Sequence, residues 1–365
     1  MKIHIQKDIL EKNLLLVQKV VNNNHQNPAL RGVRCTMYKN QITLEATNIE
    51  MSVSIQMIGK CDGDGVVLIP LKTLLDVVRY SFGEIVIVFS DQVATITSGK
   101  SVTKISLLSH EEFPPLPQKS TESPYILKTT HILQGLNSVL YAVSQSTIKP
   151  ELASVSIYTD DVFLVFVGTD SFRLAEKKIP FEGDRDFPSI LIPSKNAHEL
   201  VGLLTQLQEE SLTLFIEEDM CTLSTELFQV TTRLITGVFP DYKKIIPKDY
   251  TTESVLLKED LIVALKKMSV VADVAKQIHV DVSPTKGYIT VTSKSSTIGE
   301  VEDTLEGTLQ GQDLSLNFNQ RYILDCFQSI PVDSIHLGFG GQGRPLVITG
   351  VSDRTFVYLV MPMNK

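Results

Sequence analysis

The stretch Met1–Val21, MKIHIQKDILEKNLLLVQKVV, opens with apolar residues at alternate positions, Ile3 and Ile5. It continues with apolar side chains at steps of three and four, Leu10, Leu14 and Val17. The first pattern predicts a half-buried strand and the second a helix laid against it. The same order returns at Tyr125–Ser144 (YILKTTHILQGLNSVLYAVS) and at Ser254–Ala272 (SVLLKEDLIVALKKMSVVA). Asp8, Thr130 and Asp260 stand ahead of the apolar helical positions and are read as N-terminal caps.

A second strand–helix pattern also occurs three times. VVLIPLKTLLDVVRY runs from Val66, SILIPSKNAHELVGLL from Ser189 and LSLNFNQRYILDCFQSI from Leu314. Pro70, Pro193 and Asn319 hold equivalent places, and a proline there suits the first turn of a helix. Two further landmarks keep the period: Thr47-Asn48 answers Thr169-Asp170, and Phe113-Pro114 answers Phe239-Pro240. The chain is therefore read as three copies of a unit of about 120 residues. Each copy has two helices and alternating strands such as Ile42–Ala46, Glu84–Phe89 and Leu212–Ile216. Linkers rich in Pro, Ser and Thr fall at Pro114–Pro124 and Pro247–Ser254. The fold class is α+β with mostly antiparallel sheets, and the domains are 1–122, 123–249 and 250–365. Tandem copies sharing one interface suggest an arc or part of a ring.

Composition bounds the function. The 365 residues are 43% apolar and 21% charged, which suits a globular, core-forming chain. No apolar run approaches the roughly 20 residues of a membrane span, and the first 25 residues carry no secretory pattern. Cys35, Cys61, Cys221 and Cys326 lie far apart, which excludes a C-x-x-C metal or redox site and fits a reducing cytoplasm. Seven scattered histidines give no metal-ligand spacing, so neither metal nor cofactor is expected. Gly338–Gly343 matches G-x-G-x-x-G, yet a strand-like Leu346-Val347-Ile348 follows instead of a helix, so it is read as a hairpin turn. Asp62-Gly63-Asp64-Gly65 is likewise a turn, because Thr73 stands where a calcium loop needs its glutamate.

The formal net charge is −8, which on its own opposes phosphate binding. Resolved by element it divides. The six helical segments carry ten positive and seven negative side chains, a net of +3, and the remainder carries −11. Helix lysines are ordinary solvated residues on one reading. On the other they form a mildly basic face that touches phosphates weakly and suits sliding.

At this point the residues resemble a known family, the bacterial sliding clamp or beta subunit of the replicative DNA polymerase. The resemblance spans the chain and rests on Thr169-Asp170-Ser171-Phe172-Arg173-Leu174-Ala175, Phe239-Pro240-Asp241-Tyr242-Lys243-Lys244, Met361-Pro362-Met363, Glu112-Phe113-Pro114 and the threefold repeat. It implies a DNA-clamp fold forming half of a closed six-domain ring, a head-to-tail homodimer with twelve helices lining a hole around duplex DNA. It implies a tether for the polymerase and other DNA-processing proteins, opened by an ATP-dependent clamp loader, with no catalysis of its own. It implies a cytoplasmic location, at the nucleoid during replication.

The family's partner-peptide pocket maps onto Leu152, Thr169, Phe172, Arg173, Leu174, Pro240, Lys244, Ile245, Pro345, Met361, Pro362 and Met363. Arg173 and Lys244 are expected to orient a peptide's polar groups. The residues alone also allow Met361 and Met363 to be core positions of a terminal strand. DNA contacts map onto Lys12, Lys19, Lys72, Arg79, Lys149, Lys195, Lys266, Lys267 and Arg321, with His25 the only cation of loop 22–27. Ring closure maps onto the strand Val102–Leu108, through Ile105 and Leu107, and onto Val270 and Val271. Simple core burial is an equal reading for Val270 and Val271. Departures from the family pattern are Ser171-Phe172 for Gly-His, Lys243-Lys244 for Arg-Arg, and the ending Asn364-Lys365. Two other classes stay open: a hydrolase using Asp170 or Asp241 at a domain junction, and a structural repeat protein without a DNA role.

Overall fold

Apolar residues at helical spacing form six α-helices among the residues described. The structure, a computed structural model, describes residues 1–117, 124–182 and 187–363. The helices are α1 (Lys7–Gln18), α2 (Leu71–Arg79), α3 (Thr129–Val139), α4 (Ser194–Leu204), α5 (Lys258–Val271) and α6 (Gln320–Cys326). In α2, Leu71, Leu74, Leu75 and Val78 make one buried stripe, as an amphipathic helix requires.

The expected caps fall elsewhere. Gln6 and Leu257 precede α1 and α5 without a side-chain cap bond. Asp8 and Asp260 instead lie in the first turn, where a carboxylate meets the positive end of the helix. Thr130 is the second residue of α3. Pro70 and Pro193 end strands just before α2 and α4, so they do not open the helices. Asn319 is a cap: its side-chain oxygen accepts from the Arg321 and Tyr322 backbone N–H groups.

Each repeat contains two three-stranded antiparallel meanders. The first meanders are Gly32–Tyr38, Gln41–Thr47, Met51–Ile58; then Ser154–Asp160, Phe163–Thr169, Arg173–Pro180; then Gln277–Ser283, Tyr288–Ser295, Gly299–Glu306. The second are Glu84–Ser90, Val93–Ser98, Ser101–Ser106; then Ser211–Ile216, Met220–Ser224, Phe228–Arg233; then Ser334–Phe339, Leu346–Gly350, Phe356–Val360. The segment read as a linker at 247–254 is already strand from Thr252 onward.

The chain divides into two compact units, Met1–Leu133 with Lys195–Leu234, and Gln134–Ser194 with Ile235–Lys365. In the first unit, Phe228–Arg233 pairs antiparallel with Met51–Ile58, from Phe228 opposite Ile55 to Thr232 opposite Met51. That pairing extends one sheet to eight strands beside a five-stranded one. In the second, Phe356–Val360 pairs with Arg173–Pro180, from Val360 opposite Arg173 to Phe356 opposite Lys177. This makes a nine-stranded sheet beside a four-stranded one. The same rule operates twice: the last strand of one repeat's second meander joins the last strand of the preceding repeat's first meander. Compactness therefore follows strand pairing, and the second repeat contributes one meander to each unit.

Candidate functional site

A cavity of about 480 Å³ lies in the second unit, against the strand pairing between Arg173–Pro180 and Phe356–Val360. Eight of the twelve expected pocket residues line it: Thr169, Phe172, Arg173, Leu174, Lys244, Ile245, Pro345 and Met361. Ser171, Ile246, Pro247, Gly343, Arg344 and Leu359 complete it. Four expected residues do not line it. Leu152 is buried, and its carbonyl accepts from the Ser144 N–H at 3.0 Å. The Pro240 carbonyl accepts from the Tyr242 N–H at 2.8 Å, at the start of the segment that carries Lys244 and Ile245. Pro362 is half-buried outside the lining. Met363 is not among the lining residues, and its N–H donates to the Asn317 carbonyl at 2.7 Å. The terminal pair Asn364-Lys365 lies outside the described residues.

Three stretches position the walls. The segment 240–247 is anchored by Tyr242, whose hydroxyl donates to the buried Glu176 carboxylate and lies 2.6 Å from the Tyr158 hydroxyl. Burial, and then the Glu176 charge, push the Tyr242 pKa well above its ordinary value, so the phenol stays neutral. Behind the cavity Tyr242 packs with Val165, Val167, Leu174, Val347 and Leu359 as a closed apolar cluster. The hairpin carrying Pro345 is the glycine-rich turn read from sequence. Its strands Ser334–Phe339 and Leu346–Gly350 are antiparallel, and Gly341 and Gly343 hold φ of +105° and +69°.

The third stretch is the turn Thr169–Arg173, whose arginine lines the cavity and is also bonded within the chain. Its side chain is 11% exposed and already fully engaged. Nε donates to Asp170 at 3.0 Å, Nη1 to Asp325 at 2.7 Å, and Nη2 to the Tyr141 carbonyl at 2.6 Å. The guanidinium also lies 4.3 Å from the Tyr322 ring centre. Burial disfavours its charge, but Tyr358 and the two carboxylates outweigh burial and hold its pKa above the ordinary arginine value. Arg173 thus lines the cavity while tying its wall to α6. The accessible cations are Lys244, paired only with Asp241 at 2.8 Å on the surface, and the exposed Arg344.

The expected DNA-contacting residues are distributed over the helices as the sequence suggests. Lys12, Lys19, Lys72, Arg79, Lys149, Lys195, Lys266, Lys267 and Arg321 are exposed. Lys267 is engaged by Asp303 at 2.6 Å, and Arg79 and Arg321 lie near Asp76 and Asp325 on their own helices. His25 is half-buried, its Nδ1 accepting from the Asn27 N–H at 3.1 Å. A second cation, not named from the sequence, contacts loop 22–27 from the turn that follows it. Arg31 folds back on it, Nε donating to the His25 carbonyl at 2.6 Å. The six-residue separation across Pro28 gave no local signal of that return.

Of the ring-closure residues, Ile105 and Val271 are buried in this chain's own core and Leu107 is half-buried. Val270 is 74% exposed, and so, at 61%, is Val102 on the strand that carries Ile105.

Family models for the N-terminal, central and C-terminal domains of the DNA polymerase III beta subunit match residues 1–117, 127–241 and 243–364. The chain belongs to the DNA polymerase III beta subunit family. A beta sliding clamp of Staphylococcus epidermidis is 24% identical, covering 100% of this chain and 99% of that one. One of Halalkalibacterium halodurans is 26% identical over 99% and 98%. Among solved structures, the DNA polymerase sliding clamp of Bacillus subtilis superposes with a TM-score of 0.95 at 24% identity, covering 100% of this chain and 99% of that one. The beta subunit of Thermotoga maritima gives 0.93 at 22%, with the same coverage. Membership of this family makes the chain a processivity clamp and not a catalyst. The junction-hydrolase alternative falls with it, and Asp170 is committed to its own turn and to Arg173.

Proposed function

We propose that two copies of this chain join head to tail into a ring around duplex DNA and hold the replicative polymerase through a peptide seated in the Arg173–Met361 cavity. The observation that carries the reading is the pair of free sheet edges. The pairing rule that operates twice within the chain leaves two strands unused: Gly299–Glu306, an edge of the four-stranded sheet, and Ser101–Ser106, an edge of the five-stranded sheet. These are the counterparts of the strands already joined. Applying the rule once more, between two copies, pairs them and closes the ring. An edge strand left open offers unpaired N–H and C=O groups to any partner, so a partner strand is the natural cover.

Charge and apolar contact support the match. The strand Gly299–Glu306 carries Glu300, Glu302, Asp303 and Glu306, whereas Lys100 and Lys104 flank and occupy Ser101–Ser106. Beside the second edge, Tyr80 and Phe82 are both 84% exposed at a cavity that Ser101 and Thr103 also line. Beside the first, Val270 and Val274 project from the end of α5. Interface formation would bury these, and a fully buried side chain of this size contributes about 1.5–3 kcal/mol.

For DNA, exposed Lys12, Lys19, Lys72, Lys195 and Lys266 form no ion pair among the described residues, so they are available to phosphates. With so few charges affinity is weak and the ring holds by enclosure. An ATP-driven loader is needed to open it, and the work is done in the cytoplasm where the chromosome is copied. Light scattering tests the closure: the chain is expected as a dimer, and Val270→Lys with Val102→Lys as a folded monomer. A wild-type monomer at micromolar concentration, or a dimer unaffected by both changes, refutes the edge assignment.

A further inference from the structure

One residue of the first repeat is held in a conformation that the fold does not require of it. Ile49 sits at φ of +78°, and among the described residues it is the only β-branched one in the left-handed region. A side chain branched at Cβ crowds the backbone there, where Asn or Gly does not. Its turn is the counterpart of Thr169–Arg173. Thr47 Oγ1 donates to the Met51 carbonyl at 2.7 Å, and the Met51 N–H donates to Asn48 Oδ1 at 2.8 Å. The corresponding bonds of Thr169 and Arg173 measure 2.7 and 2.9 Å, and Ser171 takes the place of Ile49 at φ of +77°. The same turn thus forms without isoleucine. Ile49 is also 54% exposed, so its side chain is not kept for this chain's own core. Strain held at a surface position without a folding need marks a place of contact.

Ile49 lines a cavity of about 250 Å³ inside the first unit. A second wall is the segment Pro114–Pro117. Phe113 is buried with Ala29 and Leu68, Leu116 packs against that cluster, and Gln229 Nε2 donates to the Pro117 carbonyl at 3.5 Å. Three of the four residues are prolines, so this wall is stiff before any ligand arrives. Glu50 and Arg233 also line the cavity, both are exposed, and neither forms an ion pair among the described residues. Their backbones meet, the Arg233 N–H donating to the Glu50 carbonyl at 2.9 Å, as the Met361 N–H donates to the Phe172 carbonyl at 2.8 Å. One hydrogen-bonded frame is therefore built twice and lined differently, with ions here where the Arg173–Met361 cavity has a phenyl ring and a thioether.

We propose that this cavity is a second docking site, for an extended segment of a partner protein that sets an aliphatic or proline side chain against Ile49 and an acidic side chain beside Arg233. The volume decides the class of ligand: it lies below the roughly 300 Å³ at which pockets for drug-sized molecules begin, and suits one or two side chains of a longer chain. Arg233 carries a charge that the chain leaves unanswered, and a guanidinium can hold a carboxylate through two parallel bonds. Glu50 beside it disfavours a second acid, so the site selects against a run of acidic residues. The inference stands apart from the peptide reading of the Arg173–Met361 cavity, because it rests on Ile49 and on the unpaired charges.

Random displayed heptapeptides selected on full-length Phe172→Glu test the proposal, since that change alters the Arg173–Met361 cavity by the residue the first repeat carries in that place. Winners are labelled and measured by fluorescence anisotropy on that chain, and on the same chain with Arg233→Glu, Arg233→Lys or Ile49→Asn added. They should combine an acidic residue with an aliphatic one or proline, and bind about ten-fold more weakly on Arg233→Glu. Arg233→Lys should cost about three-fold, because the charge remains without the fork. Ile49→Asn should weaken binding about five-fold while raising the unfolding midpoint by about 2–4 °C, because the strain goes with the side chain. An isoleucine kept only for structure would lower the midpoint when replaced. No winners, winners within two-fold on both Arg233→Glu and Ile49→Asn, or an Ile49→Asn chain of lower midpoint would each overturn the proposal. A parallel selection on Arg233→Glu with Phe172 intact reads the Arg173–Met361 cavity alone; an empty result there refutes that peptide site and leaves this one standing.

Discussion

Replacing Arg173 by alanine removes one guanidinium and leaves three acceptors without their donor. These are the Asp170 and Asp325 carboxylates and the Tyr141 carbonyl. Breaking a buried ion pair from one side costs about 3–5 kcal/mol. Two features pull the value toward the lower end. Asp170 keeps its bonds from the Phe172 and Arg173 backbone N–H groups, and the Asp325 side chain is a quarter exposed. A loss of about 3 kcal/mol corresponds to about 6–12 °C in the midpoint of a unit of this size. Arg173→Lys keeps the charge but not the fork, and should lose about half as much. Scanning calorimetry reads the stability, and peptide anisotropy on the folded chain reads the pocket. An Arg173→Ala chain of unchanged midpoint that has lost only peptide binding would refute the reasoning. Arg173 would then be a ligand contact, and its bonds to α6 incidental.

Other outcomes follow from single contacts. Arg31→Ala should weaken DNA association and reduce its salt dependence by about one phosphate's worth, read as the slope of log affinity against log salt. An unchanged slope would remove Arg31 from the DNA surface. A thiol reagent at pH 8 should label Cys61 alone in the native chain. Cys35 and Cys221 are buried, with thiols pushed up to about 12, and Cys326 is buried as well; mass spectrometry showing early labelling of Cys35 would contradict this. The Lys243 amine beside Asp160 holds that carboxyl below its ordinary value, so the bridge stabilises the fold above the usual carboxylate range and is lost as pH falls through the depressed value. Asp160→Asn should therefore destabilise by under about 1 kcal/mol at pH 7 and by nothing at pH 2, because the pair is exposed.

How far the sequence carried the account depended on whether a signal was local. The six helices were legible because each repeats its apolar residues within a few turns, as Leu71, Leu74, Leu75 and Val78 do. The turn at Gly341 and Gly343 was legible from its composition. The pocket was legible through its motifs: of the six lining residues not named, Ser171 lies inside a quoted motif, and Ile246, Pro247, Gly343, Arg344 and Leu359 fall within two residues of named ones. What escaped were encounters between distant segments. Nothing near Met51 announces Thr232 opposite it, and nothing near Arg173 announces Asp325. Arg173 was read as a pocket residue and does line the cavity, but its bonds to Asp325 and the Tyr141 carbonyl join segments too distant for the sequence to announce. An alternating strand and an amphipathic helix do not reveal which face the chain's own core takes, so burial stayed open for Val271 in the sequence; Ile105 and Val271 are buried within the chain. The pairing of Lys267 on α5 with Asp303 on the strand Gly299–Glu306 is another such encounter between distant segments.

The central claim is that this chain holds DNA by enclosing it. The direct measurement is retention after loading on nicked circular duplex, followed through gel filtration at moderate salt before and after the circle is cut once. The account predicts that the chain stays with the circle and is lost from the linear molecule. Equal retention on both would mean that DNA is held by surface contact, and would contradict it.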